Sequence, residues 1–294
     1  RIRWRMSRIE LFTVYAFVGR ARRAFVILGT ILTHCKLMGR HQVVTLARYT
    51  LLEARSTRLI WLYAGALLLV FAAALFVHQL AITESTRVLI AFSAAATRLV
   101  AVFVLGLHVI TSLVREFNDK GLELNLSFDL RRSDYVFGRF AGFAVIGLVM
   151  ALIAGVPQLL LAAPESALQW TCSLALELVI VAALSLFCSL TFTQVMPAAA
   201  FVAAFYLLAR EMTAVRLISA HPLLGADTAY SELMTKLVDA LAMVLPSLDR
   251  FTQSAWLVDS AGGWRMLGSC SWEAFVYASL LITAAMFDFY RRNL

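Results

Sequence analysis

The sequence predicts an all-α membrane protein with six transmembrane helices. Three observations carry that prediction. Of the 294 residues, 61% are hydrophobic and only 15% are charged, against roughly 25% charged residues in a soluble domain. Six stretches, about 59–82, 88–114, 140–163, 169–192, 196–218 and 271–290, are mainly apolar, and each approaches or exceeds the ~20 residues that a spanning helix needs. Finally, Lys and Arg collect on alternate connections rather than on all of them.

The elements follow in chain order. Residues 1–37 form a basic extension whose apolar runs, LFTVYAFV and AFVILGTIL, are each too short to span. Met38 directly precedes the next predicted helix, so the extension is expected to be dispensable or to lie upstream of the native start. It shows no cleavable secretory pattern. Residues 38–58 hold QVVTLARYTLLEARST, in which Val43, Leu46, Tyr49 or Thr50, and Leu52 recur at helical spacing. Arg48, Glu53, Arg55 and Arg58 lie among them. Such a basic amphipathic helix rests in the membrane interface, with Arg towards anionic headgroups.

Residues 59–294 then form the six-span domain. Its apolar stretches are rich in Leu, Ala, Val and Phe without the alternation of a barrel strand. As helices they satisfy their own backbone hydrogen bonds in lipid. Pro197 suits the first turn of the fifth span, and Pro157 is expected to kink the third. Outer helices are expected between spans five and six. Over 231–245, Leu233, Leu237, Leu241 and Val244 share one helical face, and Pro246 ends that helix. GGW at 262–264 reads as a turn.

Positive charge sets the orientation. With the N-terminus inside, the inner segments carry nineteen Lys or Arg and the outer segments four. Both termini are therefore expected to be cytoplasmic. The net charge of +8 is explained by this asymmetry, since residues 1–58 alone hold twelve basic residues against two Glu. Nucleic-acid binding is not needed to account for it.

Catalytic signatures are missing. None of the three lysines follows a Gly, which excludes a P-loop of the form G-x-x-x-x-G-K. No H-E-x-x-H, G-x-S-x-G or paired-aspartate motif occurs. The five histidines are scattered, and no pair has the spacing of haem axial ligands. Cys35, Cys172, Cys188 and Cys270 lack metal-ligand spacing. They read as small apolar residues, with a Cys172–Cys270 disulfide near the outer face as the alternative. No metal and no cofactor is expected in this chain.

Charges within spans are informative because each is costly in lipid. Arg98 and Glu177 are placed roughly 12–15 Å below the outer surface at about 1.5 Å per helical residue. Arg210 and Glu211 fall at a similar or shallower depth. Two readings stand: a polar cluster lining an outward route, or a structural Arg98–Glu177 clamp between helices. Exchanging the two charges separates them, since rescued assembly with unaltered transport marks the clamp.

The most charged stretch is REFNDKGLELNLSFDLRRSDYVFGRF, residues 115–140, with five basic and five acidic residues. Topology makes it a cytoplasmic hairpin between spans two and three. Gly121 breaks the first helix, and Ser133-Asp134 is expected to cap the next. Leu122, Leu124, Leu126 and Phe128 alternate among the charges. A merely solvated loop gives no reason for those apolar residues, so the pattern favours a docking surface.

This hairpin resembles the charged loop after span two in the permease subunits of type-2 ABC exporters. Glu116, Gly121, Glu123, Leu126, Ser127, Arg132, Tyr135, Gly138 and Arg139 match that family's pattern. Its usual Pro is Asp129 here, and its usual Lys is Arg139. The interfacial helix, the six spans and the outer helices match as well, so the likeness covers residues 40–294. LPSLDRF, at 245–251, is similar to the outer segment of permeases associated with multi-copper-enzyme maturation.

The resemblance implies a bacterial inner-membrane permease dimer with two copies of a separate ATPase beneath it. ATP and Mg would be bound by that ATPase. A coupling helix would lie in the 115–139 loop, with Arg115, Glu116, Gly121, Glu123, Leu126 and Arg132 as coupling residues. Arg48, Glu53 and Arg55 of the interfacial helix would act beside it. Membrane lipids and an outer or periplasmic protein complete the expected partners; nucleic acid is not among them. The alternatives are a membrane-embedded lipid-modifying enzyme, active as the isolated chain, and a non-transporting scaffold subunit.

Overall fold

A computed structural model describes residues 40–80, 85–119, 131–192, 194–220, 238, 245–246, 248–251, 255–258 and 263–291. All regular structure among them is helical. The helices are α1 (Arg40–Ser56), α2 (Leu59–Leu80), α3 (Ser85–Asn118), α4 (Arg132–Leu161), α5 (Pro164–Thr191), α6 (Val195–Ala220), α7 (Ala255–Val258) and α8 (Trp264–Arg291). A 3₁₀ turn spans Leu248–Arg250. Helices α2 to α6 and α8 are the six that are long and apolar enough to cross a membrane. By that measure the chain is a multi-pass membrane protein.

Two of these helices are largely apolar around their circumference and use that property in opposite ways. Helix α5 is the central post, packed against α3, α4, α6 and α8. Trp170, Leu174, Leu178, Val181 and Leu186 are all buried along its length. Helix α2 lies at the periphery against α3 and leaves Leu68, Leu69 and Phe76 exposed. In water such a surface would mark an interface or an aggregation hazard; in hydrocarbon it is the lowest-energy face to present.

Several spans run beyond their apolar stretches. Helix α3 continues to Asn118, α4 begins at Arg132 rather than 140, and α8 begins at Trp264 rather than 271. Hydropathy marks only the length matched to hydrocarbon, while helical hydrogen bonding continues into the polar zone. Arg132, Tyr135, Gly138 and Arg139 are consequently helical residues of α4. Ser133 and Asp134 do not cap this helix. Arg131 is the N-cap without a side-chain cap, and Asp134 lies in the first turn, where its charge opposes the helix dipole favourably. Helix α4 passes through Pro157 to Leu161.

Helix α1 packs by one face and leaves another exposed. Thr50 and Ala54 are buried and Leu46 partly so, whereas Tyr49 and Leu52 are exposed. Small residues decide this, because α1 lies directly on α4. A Cβ at Gly138 would stand 2.8 Å from Leu46 Cβ, and one at Gly142 would stand 2.6 Å from Thr50 Cβ. The Gly138–Gly142 pair, four residues apart on one face, gives α1 its close seat. Cys172, Cys188 and Cys270 are free thiols, which removes the disulfide alternative. The extension 1–37, most of the predicted outer helix 231–245, and Gly121, Glu123 and Leu126 lie outside the described residues.

Candidate functional site

Among the described residues the fold gathers charge at two places, each centred on one buried arginine. The first lies where α1, the end of α3 and the start of α4 meet. Arg139, 1% exposed, reaches Glu53 of α1 through Nη1 at 2.8 Å. Its Nη2 pairs with Glu116 of α3. Nη1 also donates to Thr50 Oγ1 at 3.1 Å. The remaining carboxylate valences are met from neighbouring helices. Ser112 Oγ donates to Glu53 Oε1 at 2.6 Å, and Tyr135 Oη donates to Glu116 Oε2 at 2.9 Å.

Burial opposes the charge on Glu53, but the hydrogen bonds from Arg139 and Ser112 and the Arg139 charge outweigh it. They hold the Glu53 carboxyl below its ordinary value of 4.5. Glu53 is therefore ionised at neutral pH, and one guanidinium ties three helices together. The planar fork of Arg suits this better than a Lys ammonium, since it serves two carboxylates at once.

Arg132, at the first position of α4, extends the junction to α8. Its Nη1 donates to the Phe289 carbonyl at 3.3 Å, and its guanidinium lies 5.7 Å from the Phe289 ring centroid. Tyr135 stacks on the same ring at 6.0 Å. Arg115, Arg48 and Arg55 are exposed around this end of the bundle. Glu53, placed by the sequence with Arg48 and Arg55 on the interfacial helix, points into the junction. No hydropathy pattern signals that orientation; the i, i+3 pairing of Thr50 with Glu53 opposite a Gly-rich helix is the available clue.

The second cluster joins α3, α5 and α6 towards the opposite end. Arg98 is 2% and Glu177 0% exposed, with Nε and Oε2 3.3 Å apart. Among the described residues Oε2 accepts no hydrogen bond, so its contact with Arg98 is Coulombic. Oε1 is directional: it accepts from Tyr206 Oη at 2.8 Å. Arg98 Nη1 donates to the Phe251 carbonyl at 2.8 Å, and the guanidinium lies 5.3 Å from the centroid of the Trp170 ring. Ser173 donates to the same Phe251 carbonyl.

Arg210 joins through Tyr206 Oη at 3.4 Å. Glu211 is exposed, consistent with the turn of about 100° between successive helical residues. The cluster thus anchors the end of LPSLDRF to the helices. Tyr206, Ser173 and the Phe251 carbonyl are members that charge-counting misses, because none carries a charge.

Among the described residues, no group of three His, Cys, Asp or Glu side chains could hold a metal ion. A scan against known protein families and a search of curated proteins find no match to this chain.

Proposed function

We propose that this chain is the membrane subunit of an ATP-driven exporter of the type-2 ABC kind. It would sit in a bacterial inner membrane with both termini cytoplasmic. It would move a substrate, or transmit force to an outer partner, when a separate ATPase hydrolyses ATP. The ATPase would supply the nucleotide and Mg sites that this sequence lacks. Two permease copies and two ATPase copies would make the complex.

One observation carries the reading. Arg139 pairs with both Glu116 and Glu53, which ties the two ends of the 115–139 segment to each other and to α1. A push on residues 120–130 would therefore reach α1, α3 and α4 together, as a coupling element requires. The exposed Val44, Tyr49 and Leu52, with Arg48 and Arg55, suit α1 to the membrane interface.

Glu116 is already committed to Arg139, so reversing its charge would break the junction and confuse docking with folding. Glu123→Lys is the cleaner variant. The native complex is expected to purify with a nucleotide-binding protein, and Glu123→Lys is expected to weaken that association while leaving membrane insertion intact. Purification without any nucleotide-binding protein, or normal coupled hydrolysis in the variant, would defeat the proposal.

A further inference from the structure

A cleft of about 320 Å³ opens at the α1 end of the bundle, between the end of α1, the first turn of α2 and the last turns of α3. Its polar wall is Glu53, Thr57, His108, Thr111, Ser112 and Arg115. Leu62 and Leu107 also line it and are 69% and 48% exposed. On a spanning helix, such leucines face acyl chains.

The hydrogen bonds already made define what the cleft lacks. A hydroxyl has one proton to give. Ser112 gives its proton to Glu53 Oε1 at 2.6 Å. Thr111 is 2.7 Å from the Leu107 carbonyl, and Thr57 is 3.0 Å from the Ala54 carbonyl. All three therefore offer only lone pairs to the cleft, beside the acceptor-only carboxylate of Glu53. His108 is 8% exposed, and its Nε2 has no hydrogen-bond partner among the described residues. Glu53, Ser112, Thr111 and Thr57 thus make the inner wall rich in acceptors. Arg139 cannot fully compensate it, because its single charge is divided between Glu53 and Glu116.

Arg115 is the opposite case. Its exposed guanidinium brings five donors and a fixed positive charge to the same cleft. The wall therefore asks for a cationic donor at the Glu53 side and an anion at the Arg115 side, on a molecule with an apolar body.

We propose that the cleft seats one phospholipid whose headgroup carries a primary ammonium beside its phosphate. The ammonium meets Glu53 and the hydroxyl oxygens, with His108 Nε2 as a further acceptor in the tautomer that carries its proton on Nδ1. The phosphate meets Arg115, and an acyl chain follows Leu62 and Leu107. A choline headgroup has no N–H to donate, and a glycerol headgroup has no cation. This inference rests on the packing of α1, α2 and α3 and is independent of any ATPase.

The test is native mass spectrometry of the full chain, offered equal amounts of ethanolamine, choline and glycerol phospholipids with identical acyl chains. One ethanolamine lipid per chain is expected, favoured by roughly tenfold, the scale of a charge-assisted hydrogen bond in a dry site. Thr111→Val and Arg115→Gln, both at exposed positions, are expected to lower that retention with unchanged melting curves. Equal retention of the three lipids would overturn the proposal, as would retention that neither variant lowers. Displacement of the lipid by an equimolar amount of soluble phosphoethanolamine would overturn the lipid assignment in favour of a free phosphate ester.

Discussion

The two arginine clusters use the same chemistry under different boundary conditions. Arg98 and Glu177 are a balanced pair, sealed among α3, α5 and α6. Arg139 faces two carboxylates at the edge of the bundle, where Glu53 and Glu116 keep 22% and 11% of their side-chain surface exposed. The sealed pair can be neutral by itself. The edge cluster relies on hydroxyl donors, Ser112 and Tyr135, to share the excess negative charge. The first arrangement fits a permanent clamp holding the Phe251 segment. The second ties a peripheral helix to two spans and leaves a polar cleft beside it. Buried ion pairs are weak evidence for stability, but breaking one is costly, so the clusters should differ most in how they can be repaired.

The largest effect is expected from Arg139→Met. It leaves two carboxylates facing each other, a loss of about 3–5 kcal/mol on the scale of a broken buried pair. Denaturant unfolding in lipid nanodiscs measures it. Adding Glu53→Gln should recover only part of the loss, because Glu116 still lacks its partner guanidinium. Full recovery would mean that the edge cluster behaves like an isolated pair, and the contrast would collapse.

At the sealed cluster, Arg98→Met is expected to cost about 3 kcal/mol by stranding Glu177. Here Arg98→Met with Glu177→Leu should restore most of the stability, since both charges leave together. Tyr206 Oη and the Phe251 carbonyl then lack one partner each, which caps the recovery. A double variant no better than the single would assign Arg98 chiefly to Phe251 and Trp170 rather than to Glu177.

A third substitution separates seat from charge. At Gly142, a Cβ would stand 2.6 Å from Thr50 Cβ, so Gly142→Val forces α1 off α4 at about 1–3 kcal/mol, the usual cost of overpacking. Faster proteolysis between α1 and α2 is the expected readout, with the Arg98 cluster undisturbed.

How far the sequence speaks differs between the two clusters as well. The six spans are legible because hydrocarbon thickness imposes a length and a composition that a single chain must display. Arg98 and Glu177 are conspicuous for the same reason: a charge in an apolar run has few explanations. Arg139 and Glu53 hide, since each stands in a segment already full of charge. Which of those charges turns inward depends on Gly138 and Gly142 letting α1 approach. That is a tertiary fact, which no single-chain periodicity encodes. Helix ends run past the apolar stretches for the related reason that hydropathy fades before hydrogen bonding does.

The smallest expected effect is a pH dependence confined to the edge cluster. The folded protein holds the Glu53 carboxyl below its ordinary value of 4.5, so at mildly acidic pH the folded state binds fewer protons than the unfolded chain. The stabilisation is complete above 4.5 and is lost as pH falls through the lower, folded value. Melting curves recorded from about pH 6 down to about pH 3 should show the parent protein losing stability over that window. In Glu53→Gln the acid-side slope should be shallower, at the expense of a lower plateau near neutral pH, because the amide hydrogen-bonds Arg139 without its charge. The contribution is modest, since solvent screens a side chain that retains 22% of its surface. An unchanged slope in Glu53→Gln would move the titrating group elsewhere and leave Glu53 as a hydrogen-bond acceptor whose charge contributes nothing to holding α1.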